Sequence, residues 1–233
     1  MSCADAGGAR HSTFTMNVAT IVGMAQRGGA DDDRRARGEQ TRRDLIEAGR
    51  ELFVKRGFFN TSIGDLVAKS GVGTRGAFYH HFKDKAELFR AVFEDVENDL
   101  TLRSIASPPP GVDPWERLTI GLHGFLEAAT EPAVQRVILV DGPVVLGWQT
   151  LREIQEGNSI ALINDVVREA IAAGIIDDQP VGELTHMLVA ALEEASLLVA
   201  HAANPATARR RAAKVLDRLL LSFAVEPRKV LRR

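Results

Sequence analysis

Apolar residues recur at helical spacing along most of this chain, and no stretch of strict alternation competes with them. Leu45, Ala48, Gly49, Leu52 and Phe53 form one face of a helix predicted from about Gln40 to Arg56, with Gly57 as its stop. Ile63, Leu66 and Val67 form the face of a short second helix. Thr61 or Ser62 can cap it, Ser62 and Asp65 match the reciprocal capping pattern, and Gly71 sits where a left-handed residue ends a helix. The chain restarts at Thr74-Arg75-Gly76-Ala77 and continues into Phe78-Tyr79-His80-His81-Phe82. Asp84 as cap, with Glu87 reaching back, opens a further helix that carries Leu88, Phe89, Val92, Phe93 and Val96 to about Leu102.

Ser107-Pro108-Pro109-Pro110-Gly111 cannot be helical and marks the change to a second domain. Beyond it only helical periods occur. The segments are Asp113 to Thr130, Pro132 to Leu139, roughly Val144 to Glu156, Ser159 to Ala173, Pro180 to Ala202 and Pro205 to Ala224. Pro114, Pro132, Pro180 and Pro205 fall where first-turn prolines are tolerated. Asp141-Gly142-Pro143 reads as a break between two apolar runs. The last two segments carry the clearest stripes, Leu184 to Ala202 and Ala212 to Phe223, which suit an antiparallel pair with apolar surface left to cover.

Charge sharpens this outline. Residues 34–90 hold 13 Lys+Arg against 7 Asp+Glu, whereas residues 91–233 hold 14 against 20. A basic small domain beside an acidic larger one fits a nucleic-acid reader joined to a domain with another task. The helix that restarts at Thr74 has small residues at its leading end and donors on Thr74, Arg75, Tyr79 and His80, which suits entry into a DNA groove better than burial. Residues 1–38 show no sustained period and read as mostly disordered. Within them Arg34, Arg35 and Arg37 form a basic arm, either following phosphates or remaining a solvated tail. Cys3 is the only cysteine, which excludes an intrachain disulfide or a cysteine zinc cluster and fits a cytoplasmic setting. No apolar run approaches membrane-spanning length.

Residues 40–90 resemble the DNA-binding domain of the tetracycline-repressor (TetR) family of bacterial transcription regulators. The motifs that carry the resemblance are TRRDLIEAGRELFVKRGF, TSIGDLVAKSGV and TRGAFYHHFKDKAELF, in that order. One departure is Gly73, read as an extra turn residue before Thr74. The resemblance implies an all-α fold, with a three-helix helix-turn-helix domain at residues 39–90 and a helical-bundle ligand-binding and dimerisation domain at 91–225, followed by a basic tail at 226–233. It implies a homodimeric repressor on a palindromic operator that responds to a small molecule. A regulator without an inducer is the alternative.

On this alignment Thr74, Arg75, Gly76, Ala77, Tyr79 and His80 face the groove, and Arg42, Thr61, Ser62 and Lys85 hold the phosphate backbone. Arg75 is the candidate for guanine. In the family the last two helices pack against a second subunit, which points to Leu184, Leu188, Ala191, Ala195, Leu198, Val215, Leu216, Leu219 and Phe223 as the dimer interface.

No phosphate loop, HExxH or GxSxG motif is present, so no catalytic residue and no cofactor are expected. No metal site is expected either. His80 and His81 point about 100° apart on a helix, and His123, His186 and His201 fall on separate segments. A ligand pocket in the second domain would draw apolar walls from Trp115, Leu122, Phe125, Leu126, Ile138, Leu139, Val145, Trp148, Leu151, Ile163 and Val167, with His123, Asp141, Gln149, Arg152, Glu153 and Asn164 orienting the bound molecule. The same apolar set is what any helical core requires. A pocket so lined suits a medium-sized, largely apolar molecule.

Overall fold

The structure, a computed structural model, describes the backbone of residues 18–104 and 111–225, and side chains from residue 33 onward. Cys3, most of the proline break and the basic tail at 226–233 lie outside the described residues. Two units are distinguished, residues 1–43 and 44–233.

In the first unit, helix α1 (Val18–Arg56) is already formed at Val18, so the expectation of disorder through residue 38 is corrected for residues 18–38. No proline interrupts this stretch, and at residues 33–43 local bonds stand in for an apolar face. Arg37 Nε donates to the Asp33 carbonyl at 3.0 Å, the Thr41 hydroxyl to the Arg37 carbonyl at 3.0 Å, and Arg43 to Gln40 Oε1 at 3.0 Å. Such i to i+3 and i+4 contacts leave no hydrophobic pattern to read.

The second unit takes up the rest of α1 and continues with α2 (Ile63–Ser70), α3 (Arg75–His81), α4 (Lys85–Ser104) and α5 (Pro114–Ala128). A π-helical segment, Val134–Asp141, leads into α6 (Gly142–Glu156), followed by α7 (Ser159–Ala172), α8 (Val181–Ala200) and α9 (Pro205–Leu221). The fold is all-α. Its single β-bridge among the described residues, Ile176 with Ala224, ties the end of α9 to the loop after α7.

One core joins the end of α1 to α2, α3, α4 and the π-helical segment. Phe53 and Phe89 meet edge to face at 5.3 Å, and Phe58 meets Phe89 in the same manner at 5.3 Å. A Cβ at Gly49 would lie 3.0 Å from Val92 Cγ2, so the glycine lets α1 and α4 approach closely. A second core is built from α5, α7, α8 and α9.

The expected break at Asp141-Gly142-Pro143 is corrected. Gly142 has helical angles (φ −52, ψ −57), Pro143 sits in the first turn of α6, and the helix runs on. Gly142 is there for contact: a Cβ would stand 2.7 Å from the Phe93 ring and 2.8 Å from the Val137 carbonyl oxygen. The real discontinuity is Gly147, with φ 74 and ψ 162 inside α6. The preceding segment is π-helical where an α-helix was expected, a geometry that recurs at functional positions.

The stripes on α8 and α9 divide in two. Leu184, Leu188, Ala195 and Leu216 are buried within the subunit, which corrects their assignment to an intersubunit face. Ala191 and Phe223 are half-buried. Leu198 at 61% and Val215 at 66% exposure, with Leu219 and Met187, form an uncovered apolar face. A stripe wide enough to serve both sides of a helix does not reveal from spacing alone which residues face inward.

Candidate nucleic-acid interface and second-domain cavity

The segment from Thr61 to Phe82 builds a helix-turn-helix from its caps outward. The Ser62 amide donates to Asp65 Oδ2 at 2.9 Å while the Asp65 amide donates to Ser62 Oγ at 3.1 Å, closing the capping box. The Ser62 hydroxyl, then its amide and the Arg56 guanidinium hold the Asp65 carboxyl below its ordinary value. Gly71 and Gly73, at φ 73 and φ 82, carry the turn in a conformation closed to most side chains. Thr74 caps α3, its Oγ1 accepting the Ala77 amide at 3.2 Å. Phe78 and Phe82 are buried and fix the inner face of α3, so Thr74, Arg75, Gly76, Tyr79 and His80 stand exposed and Ala77 half-exposed. The Arg75 guanidinium passes close to Gly64 on α2. The structure thus brings the six expected groove residues together on one short helix.

The expected phosphate-binding set does not stay together. Thr61 is 1% exposed and its hydroxyl donates to the Gly57 carbonyl at 2.8 Å, so it is a turn fastener and not a surface donor. Lys85 Nζ donates to the Phe58 and Thr61 carbonyls at 2.7 and 2.8 Å and lies 4.1 Å from the centroid of the Phe58 ring. Burial lowers its ammonium below the ordinary lysine value. A lysine committed to two carbonyls holds the loop, which corrects its assignment to phosphate. Ser62 is exposed, but its hydroxyl is engaged with Asp65 at 2.6 Å. Arg42 is exposed on α1, in the first unit.

The loop at residues 57–61 is held from the second domain as well. Asp141, buried at the end of the π-helical segment, accepts the Phe58 amide at 2.8 Å and Arg136 Nε at 3.0 Å. Arg136 covers Gly57 so closely that a Cβ there would fall 1.8 Å from Nη2. Asp141 was expected to orient a ligand; it joins the two domains instead.

A cleft that encloses about 30 Å³, or about 550 Å³ when the space open to solvent is counted, lies between α5, α6, α7 and α8. Arg117, Leu118, Gly121, Leu122 and Phe125 line it from α5, Gln155 from α6, Ser159, Ile163 and Val166 from α7, and Val189, Leu192 and Glu193 from α8. A neighbouring hollow that encloses about 20 Å³, or about 310 Å³ counting space open to solvent, shares Phe125, Gln155 and Ser159 and adds Glu97, Leu100, Thr101 and Ser104 from α4, with Ile138.

Of the apolar walls expected, Leu122, Phe125, Ile138 and Ile163 are here. The other expected ligand residues are elsewhere. Leu126 is core, Trp115 packs on the second core, and Trp148 is 74% exposed. His123 pairs with Asp217 at 2.7 Å on the surface, and Asn164 accepts from the Thr185 hydroxyl at 2.8 Å. Arg152 acts behind the wall, donating to Gln155 at 3.2 Å, while Gln155 donates to Glu193 at 3.0 Å.

Sequence reading missed Glu97, although a signal was present: it stands four residues after Phe93 and three before Leu100 on the buried face of α4. Burial pushes its carboxyl up to about 7, the Ser159 hydroxyl pulls it back, and the Glu193 and Glu94 charges push it further. The folded protein therefore binds this proton more tightly than the unfolded chain, whose value is near 4.5. The stability so contributed is complete below 4.5 and is lost as pH rises through 7. Glu97→Gln should gain on wild type by up to about 3 kcal/mol between roughly pH 5 and pH 8, measured by urea unfolding. A constant difference across that range would place the titration elsewhere.

Together these features define a helix-turn-helix DNA-binding protein with a helical second domain. Residues 45–92 match the family model "Bacterial regulatory proteins, tetR family", and residues 115–223 match "Tetracyclin repressor-like, C-terminal domain". A TetR-family transcriptional regulator from Pectobacterium atrosepticum, known from its crystal structure, is 30% identical with a TM-score of 0.72, covering 83% of this chain and 98% of that one. The HTH-type transcriptional regulator SrpR of Pseudomonas putida is 28% identical over 141 residues, 60% of this chain and 65% of SrpR, so that match spans just under two thirds of the relative. The crystal structure of RolR in complex with the ligand resorcinol shares the fold at 19% identity and a TM-score of 0.65, covering 84% of this chain and 93% of that one. The chain belongs to the TetR family of DNA-binding transcription regulators, which act by binding and not by catalysis. No helix among the described residues is long and apolar enough to cross a membrane.

Proposed function

We propose that this protein is a cytoplasmic, homodimeric repressor that releases a palindromic operator when a small molecule fills the second-domain cavity. Residues 39–90 serve as the DNA-binding domain and 91–225 as the effector and dimerisation domain. The observation that carries the effector reading is the cavity itself, apolar on most sides and edged by a few positioned polar groups. That a fold neighbour binds resorcinol supports it. Ile138 borders the smaller hollow and stands three residues before Asp141, so an occupant presses on the segment that grips Phe58. Melting the protein against a metabolite library should identify compounds that raise its Tm, and those compounds should release operator DNA. Stabilising hits that leave the operator bound would favour a regulator without an inducer.

For the DNA itself, Thr74, Arg75, Gly76, Ala77, Tyr79 and His80 approach the groove, with Ser62 toward the backbone; Arg42, on the first unit, is a separate phosphate candidate. Arg75 is exposed and pairs with no carboxylate in the described ion pairs, which leaves its fork for two acceptors of a guanine. Arg75→Ala should cost about 1 to 3 kcal/mol of operator affinity and relax preference at one base pair. Titration against a set of single-base operator variants reads this. An equal loss on every sequence, with a shallower salt slope, would assign Arg75 to phosphate.

A further inference from the structure

Glu97 is 3% exposed, and of its two carboxylate oxygens one accepts from the Ser159 hydroxyl at 2.7 Å while Oε2 has no hydrogen-bond partner. One turn along α4, Thr101 Oγ1 is buried and also without a partner. Both residues line the smaller hollow. Buried polar atoms are ordinarily satisfied, so two unpartnered oxygens on one face of one helix, beside open space, point to a polar group that enters from that space, a donor wherever Glu97 is ionised.

The charges around the site narrow the donor. Glu193 is engaged by Gln155 and by Arg152 at 3.5 Å, and Arg117 is paired with Glu169 at 2.5 Å. Glu97 enters none of the described ion pairs, and the charges that act on it, Glu193 and Glu94, are both negative. A neutral hydroxyl would fill the vacant bond and leave the buried charge uncompensated. An ammonium does both, and its three N–H groups exceed the two acceptors waiting. The buried Nε atoms of Arg117, on the wall of the larger cavity, and of Arg152, behind it, also lack partners, but neither is among the groups that act on Glu97, so an anion seated at Glu97 would meet the Glu193 and Glu94 charges.

We propose that the effector is an organic ammonium ion whose charged end bonds Glu97 Oε2 and Thr101 Oγ1, and whose apolar body passes Phe125 into the larger cavity. This rests on the effector reading above and names its ligand class. Phe125 borders both hollows, and Leu118, Leu122, Ile163 and Leu192 supply the apolar wall beyond it. The rise of the free carboxyl toward 7 accords with this, because an entering cation would restore the ionised form and release a proton.

The test is calorimetry on the full chain with four probes of one shape: 2-naphthylmethylamine, 2-naphthylmethanol, 2-methylnaphthalene and 2-naphthoic acid. The amine should bind about ten-fold or more tighter than the alcohol, as a charge-assisted bond implies, and should release protons on binding near neutral pH. Glu97→Gln should remove most of that advantage and leave the alcohol within about three-fold of its wild-type affinity. Thr101→Val, which keeps the shape, should weaken the amine by a few-fold. The proposal is overturned if the alcohol or the acid binds as tightly as the amine, or if Glu97→Gln leaves the amine unaffected. Should none of the four bind while a library compound releases operator in a manner blocked by Ile163→Trp, the ammonium class falls and the effector reading stands. Should nothing enter the cavity, both fall.

Discussion

Asp141→Ala is expected to lower the unfolding free energy by about 2 to 3 kcal/mol and to speed hydrogen exchange at the Phe58 amide. The side chain is buried and accepts two bonds, one from that amide at 2.8 Å and one from Arg136 at 3.0 Å. Removing it orphans the Phe58 N–H, which costs about 1 to 3 kcal/mol when water cannot replace the acceptor. The Arg136 contribution is smaller than that of a fully buried pair, because its side chain is 38% exposed and returns to solvent. Asp141→Asn keeps an acceptor for Phe58 and should recover more than half of the loss. Exchange at Phe58 as slow in the alanine variant as in wild type would show that the loop is held by Lys85 alone.

The same change is expected to uncouple the domains. Loop 57–61 is gripped from two sides, by Lys85 at the start of α4 and by Asp141 at the end of the π-helical segment. Lys85 belongs to the helix-turn-helix domain's own support, and Asp141 to the second domain. With Asp141 removed, operator affinity should stay within a few-fold, since α3 and its caps are untouched, while any effector found should lose most of its power to release DNA. A ligand shifts an equilibrium only through contacts that differ between the two states. On the proposed mechanism the bond to Phe58 is that contact.

The reading head was legible in the sequence because each part obeys a local rule. The capping box at Ser62 and Asp65, the left-handed glycines 71 and 73 and the Thr74 cap all follow from chemistry a few residues wide. The helices of the second domain were legible for the same reason. What stayed hidden depends on partners far along the chain. Thr61 and Lys85 have the residue types of phosphate ligands, and only the fold shows that their donors are spent on Gly57, Phe58 and Thr61 carbonyls. Asp141 was singled out, but its partner lies 83 residues away. The polar wall of the cavity was missed for the opposite reason, since Gln155, Ser159 and Glu193 look like ordinary surface residues until four helices converge. The helical residues before Gln40 carried no apolar period and so gave no helical signal.

Leu198→Glu combined with Val215→Glu is expected to convert the proposed dimer to a monomer and to weaken operator binding by roughly 100-fold or more. Both residues are more than half exposed in the single chain, so the double variant should still fold, with a urea midpoint lowered only by the stabilisation that association gives the dimer and therefore close to that of wild type at low protein concentration. Leu219 and Met187 extend the same uncovered face on α9 and α8, and an apolar face of this kind on two packed helices is suited to a copy of itself about a two-fold axis. Across that axis each glutamate would meet its counterpart without water, a cost of several kcal/mol for unpaired charge. A helix-turn-helix protein gains its operator affinity by engaging two half-sites at once, and a monomer keeps only one. Light scattering would report the mass, and titration against full and half operators would report the affinity. If the double variant remains dimeric with wild-type operator affinity, the intersubunit face is not on α8 and α9. A monomer that still binds the full operator with wild-type affinity would instead show that one reading head suffices.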